Sequence, residues 1–137
     1  VTGRPGWDEY FLHIAEAVST RADCTRRKVG AVVVRDNRIV SCGYNGAPAG
    51  RPGCLSDGAC PRGRQGFEHV PPGSSYDTGD GACIAVHAEA NALLYADRDH
   101  CVGAILYCTD DPCDGCLRLI LGAGITWVVT PSGRTLL

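Results

Sequence analysis

Apolar residues recur at helical spacing across residues 7–20, with Tyr10, Phe11, Ile14 and Val18 on one stripe and Asp8 and Glu9 in the first turn. The pattern then turns β-rich over 28–35. Asp36-Asn37 is a turn signal, and 38–44 reads as a second strand, so the two predict a hairpin. Helical spacing returns over 84–96. A polar break follows at Asp97-Arg98-Asp99-His100. A third strand is expected over 103–109, a helix over 113–122 ending at Gly122 and Gly124, and a fourth strand over 125–130. Strands three and four flank a helix and should therefore be parallel, joined by a right-handed crossover. The first two should be antiparallel. The expectation is an α/β chain of one domain, 1–137, folded as three α-β-α layers around a mixed central sheet of four to five strands.

One stretch lacks such a pattern. Residues 46–83 are rich in Gly and Pro and poor in apolar anchors. A loop of that length in a compact domain needs a function or a staple. Cys54 and Cys60 lie within it, Cys83 closes it, and Cys24 precedes the hairpin. Four thiolates can close a structural Zn²⁺ site and offset the entropy of ordering the loop. On spacing alone, four free and half-buried thiols fit equally well.

Composition narrows the partners. Hydrophobic residues make up 45% and charged residues 20%, with 13 Lys+Arg against 15 Asp+Glu and a net charge of −2. No strong field draws the chain to nucleic acid or to an anionic membrane. No apolar run approaches the roughly 18 residues of a membrane span, and Val1–Pro5 shows no secretory signal pattern. Nine cysteines, an odd number, favour metal over disulfides and a reducing cytoplasm as the setting.

The chemistry concentrates in His87-Ala88-Glu89 and Pro112-Cys113-Asp114-Gly115-Cys116. Cys113 and Cys116, three apart at a helix start, face the same way. With His87 they make three ligands for Zn²⁺, which leaves the fourth tetrahedral position open to water, as in catalytic sites. Zinc brings the pKa of such a water to roughly 7, so hydroxide is available at neutral pH. Glu89, two residues past the His, can stand beside the metal without binding it and carry protons. The competing reading is a closed structural site with a fourth Cys, in which Glu89 is an ordinary helix-start acid.

The combination H-x-E followed by P-C-x-x-C is the signature of zinc deaminases. With it, the chain resembles the cytidine deaminase superfamily and is most similar to its deoxycytidylate (dCMP) deaminases. Trp7-Asp8-Glu9-Tyr10-Phe11, Cys24-Thr25-Arg26-Arg27-Lys28-Val29-Gly30-Ala31-Val32, Gly43-Tyr44-Asn45-Gly46 and Leu119-Ile120-Leu121-Gly122-Ala123-Gly124-Ile125 also carry the likeness. The resemblance implies a cytidine-deaminase-like fold and hydrolysis of dCMP to dUMP and ammonia, in a homo-oligomer. It implies that Glu89 relays protons to ring N3 and to the leaving ammonia. It assigns Asn45 to the sugar hydroxyl or base, the Ala88 N–H to pyrimidine O2, and the Asp111 main-chain carbonyl to the departing amino group. Relatives with a second zinc hold it at places matching Cys24, the Cys54–Cys60 stretch and the residues just before the H-A-E motif.

Three departures from the family pattern stand out. Asp111 replaces an aromatic or small residue, and an acid there also occurs in guanine and transfer-RNA adenosine deaminases, so a free base or base analogue such as cytosine, guanine or a triazine is an alternative substrate. Residues 61–82 are longer and more irregular than expected. The family's fifth strand and last helix are not evident before Leu137, which would leave a sheet edge to cover. A nucleotide substrate needs cations, and Arg26, Arg27, Lys28, Arg51, Arg62 and Arg64 are available, each by itself an ordinary surface charge. An alternative of another class is a non-catalytic zinc module that binds protein or nucleic acid, suggested by the cysteine count and the Arg26-Arg27-Lys28 cluster.

Overall fold

The computed structural model describes residues 3–65 and 70–137. Its elements are α1 (Trp7–Ser19), β1 (Gly30–Arg35), β2 (Arg38–Tyr44), α2 (Pro61–Gln65), α3 (Ala88–Leu94), α4 (Arg98–Cys101), β3 (Ile105–Cys108), α5 (Asp114–Gly122), β4 (Trp127–Thr130) and β5 (Gly133–Leu136). The strands form one sheet in the order β2-β1-β3-β4-β5. β3 and β4 are parallel, as the intervening helix requires, and the other neighbours are antiparallel. The hairpin turn has φ of 51° at Asp36 and 59° at Asn37, the paired left-handed geometry that matches strand twist.

Period-two alternation sends successive side chains to opposite faces and builds two cores. Val32, Val34, Tyr107 and Val129 meet Phe11 and Ala15 of α1. Ala31, Val33, Leu106, Cys108 and Val128 meet α3 and α5 through Ala88, Ala92, Cys116 and Ile120. Each fully buried Val, Leu, Ile or Phe contributes roughly 1.5–3 kcal/mol. On α1 the buried stripe runs through Ala15, while Tyr10 of the expected stripe is exposed. Close approach of layers depends on two glycines. A Cβ on Gly30 would sit 2.0 Å from the Ala15 carbonyl oxygen, and one on Gly43 would sit 2.4 Å from the Ala92 nitrogen.

Three expectations need correction. A fifth strand exists: β5 pairs with β4 from Trp127↔Leu136 to Thr130↔Gly133. Its four residues are all exposed, so no apolar alternation announced it. Arg134 holds it, bonded to both Asp8 carboxylate oxygens at 3.0 Å and stacked 4.6 Å over the Trp127 ring. The same carboxylate accepts the buried Tyr107 hydroxyl at 2.7 Å, which ties α1 to β3 and β5. The polar break at 97–100 overlaps α4, which runs on to Cys101, and the loop contains α2. The helix expected over 84–96 is shorter, because His87 is still extended (ψ 153°) and Val86 bridges Gly46. No helix among the described residues is long and apolar enough to cross a membrane.

Candidate metal centre and its surroundings

The C-terminal end of β3 faces the starts of α3 and α5, and there His87, Cys113 and Cys116 converge. Their donor atoms all lie within 4.8 Å of one another, the one such group of His, Cys, Asp and Glu among the described residues. The His87 ring presents Nδ1, at 3.6 Å from Cys113 Sγ and 3.2 Å from Cys116 Sγ. A tetrahedron with Zn–S near 2.3 Å and Zn–N near 2.0 Å has S···N edges of roughly 3.6 Å, so these residues fit Zn²⁺. Local folding explains the convergence. His87 and Cys113 are the N-cap residues of α3 and α5, and the Cys113 sulfur accepts the Cys116 N–H at 3.5 Å.

Glu89 lies in the first turn of α3, 5% exposed, and is not one of the three converging donors. Burial pushes the Cys116 thiol well above its ordinary range, and the Glu89 charge adds to the effect. Burial likewise raises Cys108, to about 12, with Glu89 again the next cause. A divalent cation reverses that balance for a ligating thiol, which it holds deprotonated.

Of the expected substrate residues, Ala88 opens α3 and is buried. Asn45 is 8% exposed and already engaged: Oδ1 accepts the Val29 N–H at 2.8 Å, and Nδ2 donates to the Arg27 carbonyl at 3.1 Å. Asp111 does not turn its carboxylate free into a pocket. It accepts from the Thr130 hydroxyl at 2.7 Å and the Ser132 hydroxyl at 3.2 Å, pinning the segment before Cys113 to the end of β4. Asn91, one helical turn after His87, donates from Nδ2 to the Tyr44 carbonyl at 2.8 Å and holds α3 to the Gly43–Gly46 segment.

The loop cysteines are gathered less tightly. Burial raises the Cys54 thiol to about 12, and Cys60, Cys24 and Cys83 push it the same way, so all four share one neighbourhood. Burial works upward on Cys60 too, but the N–H groups of Gly63 and Arg62, with the side chains of Cys54 and Thr25, together hold that thiol below its ordinary value. The Cys24 and Cys83 sulfurs accept N–H groups of Arg26 and Ala85, both at 3.4 Å. The four sulfurs are not drawn within the 4.8 Å that encloses the first set.

Two loop features escaped the sequence reading. Asp23 accepts the N–H groups of Leu55 and Ser56 and the Ser56 hydroxyl, at 2.7, 2.8 and 2.6 Å. Arg62 lies 3.7 Å over the Tyr76 ring and donates to the Ser74 and Ser75 carbonyls. Asp23 stands beside Cys24, and that adjacency is the one hint the sequence offers. The side chain of Arg64 lies outside the described residues.

A His/Cys/Cys group that could hold zinc at the starts of two helices, with a buried carboxylate beside it on an α-β-α sheet, is the arrangement of a metal-dependent hydrolase. Comparison with known proteins narrows the class. The sequence model of the cytidine and deoxycytidylate deaminase zinc-binding region matches residues 5–131. A deoxycytidylate deaminase of Mycobacterium phage D29 is 56% identical over 128 residues, covering 93% of this chain and 96% of that protein. One of Schizosaccharomyces pombe is 44% identical, and there the match covers 92% of this chain but 37% of the relative. The dCMP deaminase of cyanophage S-TIM5, solved in complex with dCMP and dUMP, superposes with a TM-score of 0.68 at 30% identity over 93% of this chain and 82% of that one. The chain belongs to the cytidine and deoxycytidylate deaminase family.

Proposed function

We propose that this chain hydrolyses dCMP to dUMP and ammonia. The observation that carries this reading is the three-ligand set with Glu89 buried beside it and outside it. The phage D29 and S-TIM5 relatives support the choice of substrate. When bound, zinc lowers the pKa of a coordinated water and so supplies a nucleophile at neutral pH. His87, Cys113 and Cys116 would hold the metal, and Glu89 would carry one proton of the attacking water to ring N3 and the other to the departing amino group, as a C4–O bond replaces the C4–N bond and the carboxylate ends as it began. The Ala88 N–H donates to pyrimidine O2. The Asp111 carbonyl accepts from the amino group, and the second Nδ2 hydrogen of Asn45 donates to the sugar hydroxyl or the base.

The free-base alternative rested on Asp111, whose carboxylate is occupied by Thr130 and Ser132. Ammonia release from dCMP, CMP, cytidine, cytosine and guanine tests the reading. Turnover of dCMP is expected, and turnover of a free base without dCMP would overturn it.

The same proposal covers the rest of the chain, read as one domain over 1–137. Cys24, Cys54, Cys60 and Cys83 hold a second, structural zinc that staples the loop at 46–83. The mutual influence of the four thiols supports this. Two sets of cysteines read as metal ligands and not as disulfides support a reducing, cytoplasmic setting. Leu94, Tyr95, Leu119 and Leu121, all exposed in the α3–α5 layer, support a homo-oligomer, which sedimentation would test.

A further inference from the structure

Of the cations available to a phosphate, Arg27 is the one whose guanidinium reaches the segment leading to Cys113, among the described contacts. It pairs with Asp110. Arg26 instead donates to the Tyr76 hydroxyl at 2.9 Å, and Arg62 is held by the Ser74 and Ser75 carbonyls. The chain links the pair to the metal-ligand set along two routes. Asp110 stands three residues before Cys113. Asn45, which binds the Arg27 carbonyl, is followed by Gly46, whose bridge partner Val86 precedes His87.

Both ends of the pair are anchored in the main chain and loose at the tip. The Arg27 carbonyl is fixed by the buried Asn45 at 3.1 Å. Asp110 lies between Thr109, bonded to Gly30 through N–H and hydroxyl, and Asp111, pinned by Thr130 and Ser132. Yet the two side chains are 62% and 54% exposed. An ion pair in that much water contributes little. A phosphate monoester offers up to two charges and three acceptor oxygens, and it matches the guanidinium fork bidentately. It therefore outcompetes one exposed carboxylate.

We propose that Arg27 reads the 5′-phosphate of the substrate and that Asp110 is its resident counter-ion, displaced when a nucleotide binds. This rests on the reading of the substrate as a nucleotide. The pair is then a specificity device. A nucleotide opens it and recovers the cost in phosphate contacts, and a nucleoside leaves it closed.

The test compares kcat/KM for dCMP and for deoxycytidine in wild type, Arg27→Gln, Arg27→Lys and Asp110→Asn, and follows the ratio of the two. Arg27→Gln should lower the ratio by about ten-fold or more, through KM for dCMP. Arg27→Lys, a point charge without the fork, should fall between. Asp110→Asn should raise the ratio several-fold at low salt and less at high salt. Opposite signs for the Arg27→Gln and Asp110→Asn variants are decisive. If the pair were only a brace between two segments, both would loosen the same contact and move both substrates alike. Changes of the same sign, or an unmoved ratio, overturn the proposal. Wild type inactive on dCMP defeats the functional reading and this proposal with it. Wild type active on dCMP, with Arg27→Gln unchanged in ratio, defeats this proposal alone.

Discussion

The Asp111 carboxylate and the Thr130 hydroxyl, 2.7 Å apart, join the loop before Cys113 to the end of β4. Thr130 is 6% exposed and Asp111 is exposed, so the bond fastens a surface carboxylate to a buried hydroxyl. Thr130→Val should cost about 1.5–3 kcal/mol in urea unfolding and lower kcat several-fold as residues 109–113 loosen. A variant as stable and as active as wild type would show that the Asp111–Thr130 bond holds nothing in place.

Glu89→Gln keeps the shape of the side chain and removes its capacity to carry protons. Turnover should fall by about 10²–10⁴, the usual share of a general acid–base group, while zinc content stays the same. Preserved turnover in this variant would remove Glu89 from the chemistry.

Metal content separates the two cysteine sets. Elemental analysis should find two zinc per chain in wild type. Cys54→Ser should leave one zinc and a lower Tm, and Cys113→Ser should abolish turnover while the loop zinc is retained. A wild-type count of one would remove the structural zinc.

Acid should loosen the 53–57 segment through Asp23. Hydrogen bonds from the Ser56 hydroxyl, and then from the Ser56 and Leu55 N–H groups, hold its carboxyl below the ordinary 3.8. A depressed folded pKa contributes stability that is complete above the unfolded value and is lost as pH falls through the folded one. Asp23→Asn should therefore be less stable than wild type at neutral pH, and the gap should narrow below about pH 4. A gap that stays constant down to pH 2.5 would mean that Asp23 titrates alike folded and unfolded.

Gly43→Ala would press a methyl group against the α3 backbone, 2.4 Å from the Ala92 nitrogen. Because α3 carries Glu89 and begins at His87, the shift should cost about 1–3 kcal/mol of stability and depress activity too. A neutral result would mean that α3 can slide on β2.

The His87, Cys113 and Cys116 cluster was legible in the sequence because its members come in two short local patterns, H-x-E at one helix start and C-x-x-C at another, which the packing of α3 and α5 then brings together. Likewise, the β-branched run in 30–35, buried on both faces, and the helical spacing over 7–19 announced the layers. β5 left no period, because its support comes from Arg134 reaching Asp8 and Trp127 far away in sequence.

What the sequence determined by itself was most of the elements, the parallel pairing of β3 and β4, and the His87, Cys113 and Cys116 that converge. The elements and the two motifs follow from spacing within one turn or one strand, and the parallel pairing follows from the helix between β3 and β4. Tertiary structure alone decided that Asp111 is bound to Thr130, that Asn45 is committed to Val29 and Arg27, that Asp23 anchors the long loop, and that Asp110 faces Arg27. The physical reason is that a polar side chain has no period. Its role is set by whichever donor or acceptor the fold brings within 3 Å or so, across tens of residues that no local pattern links.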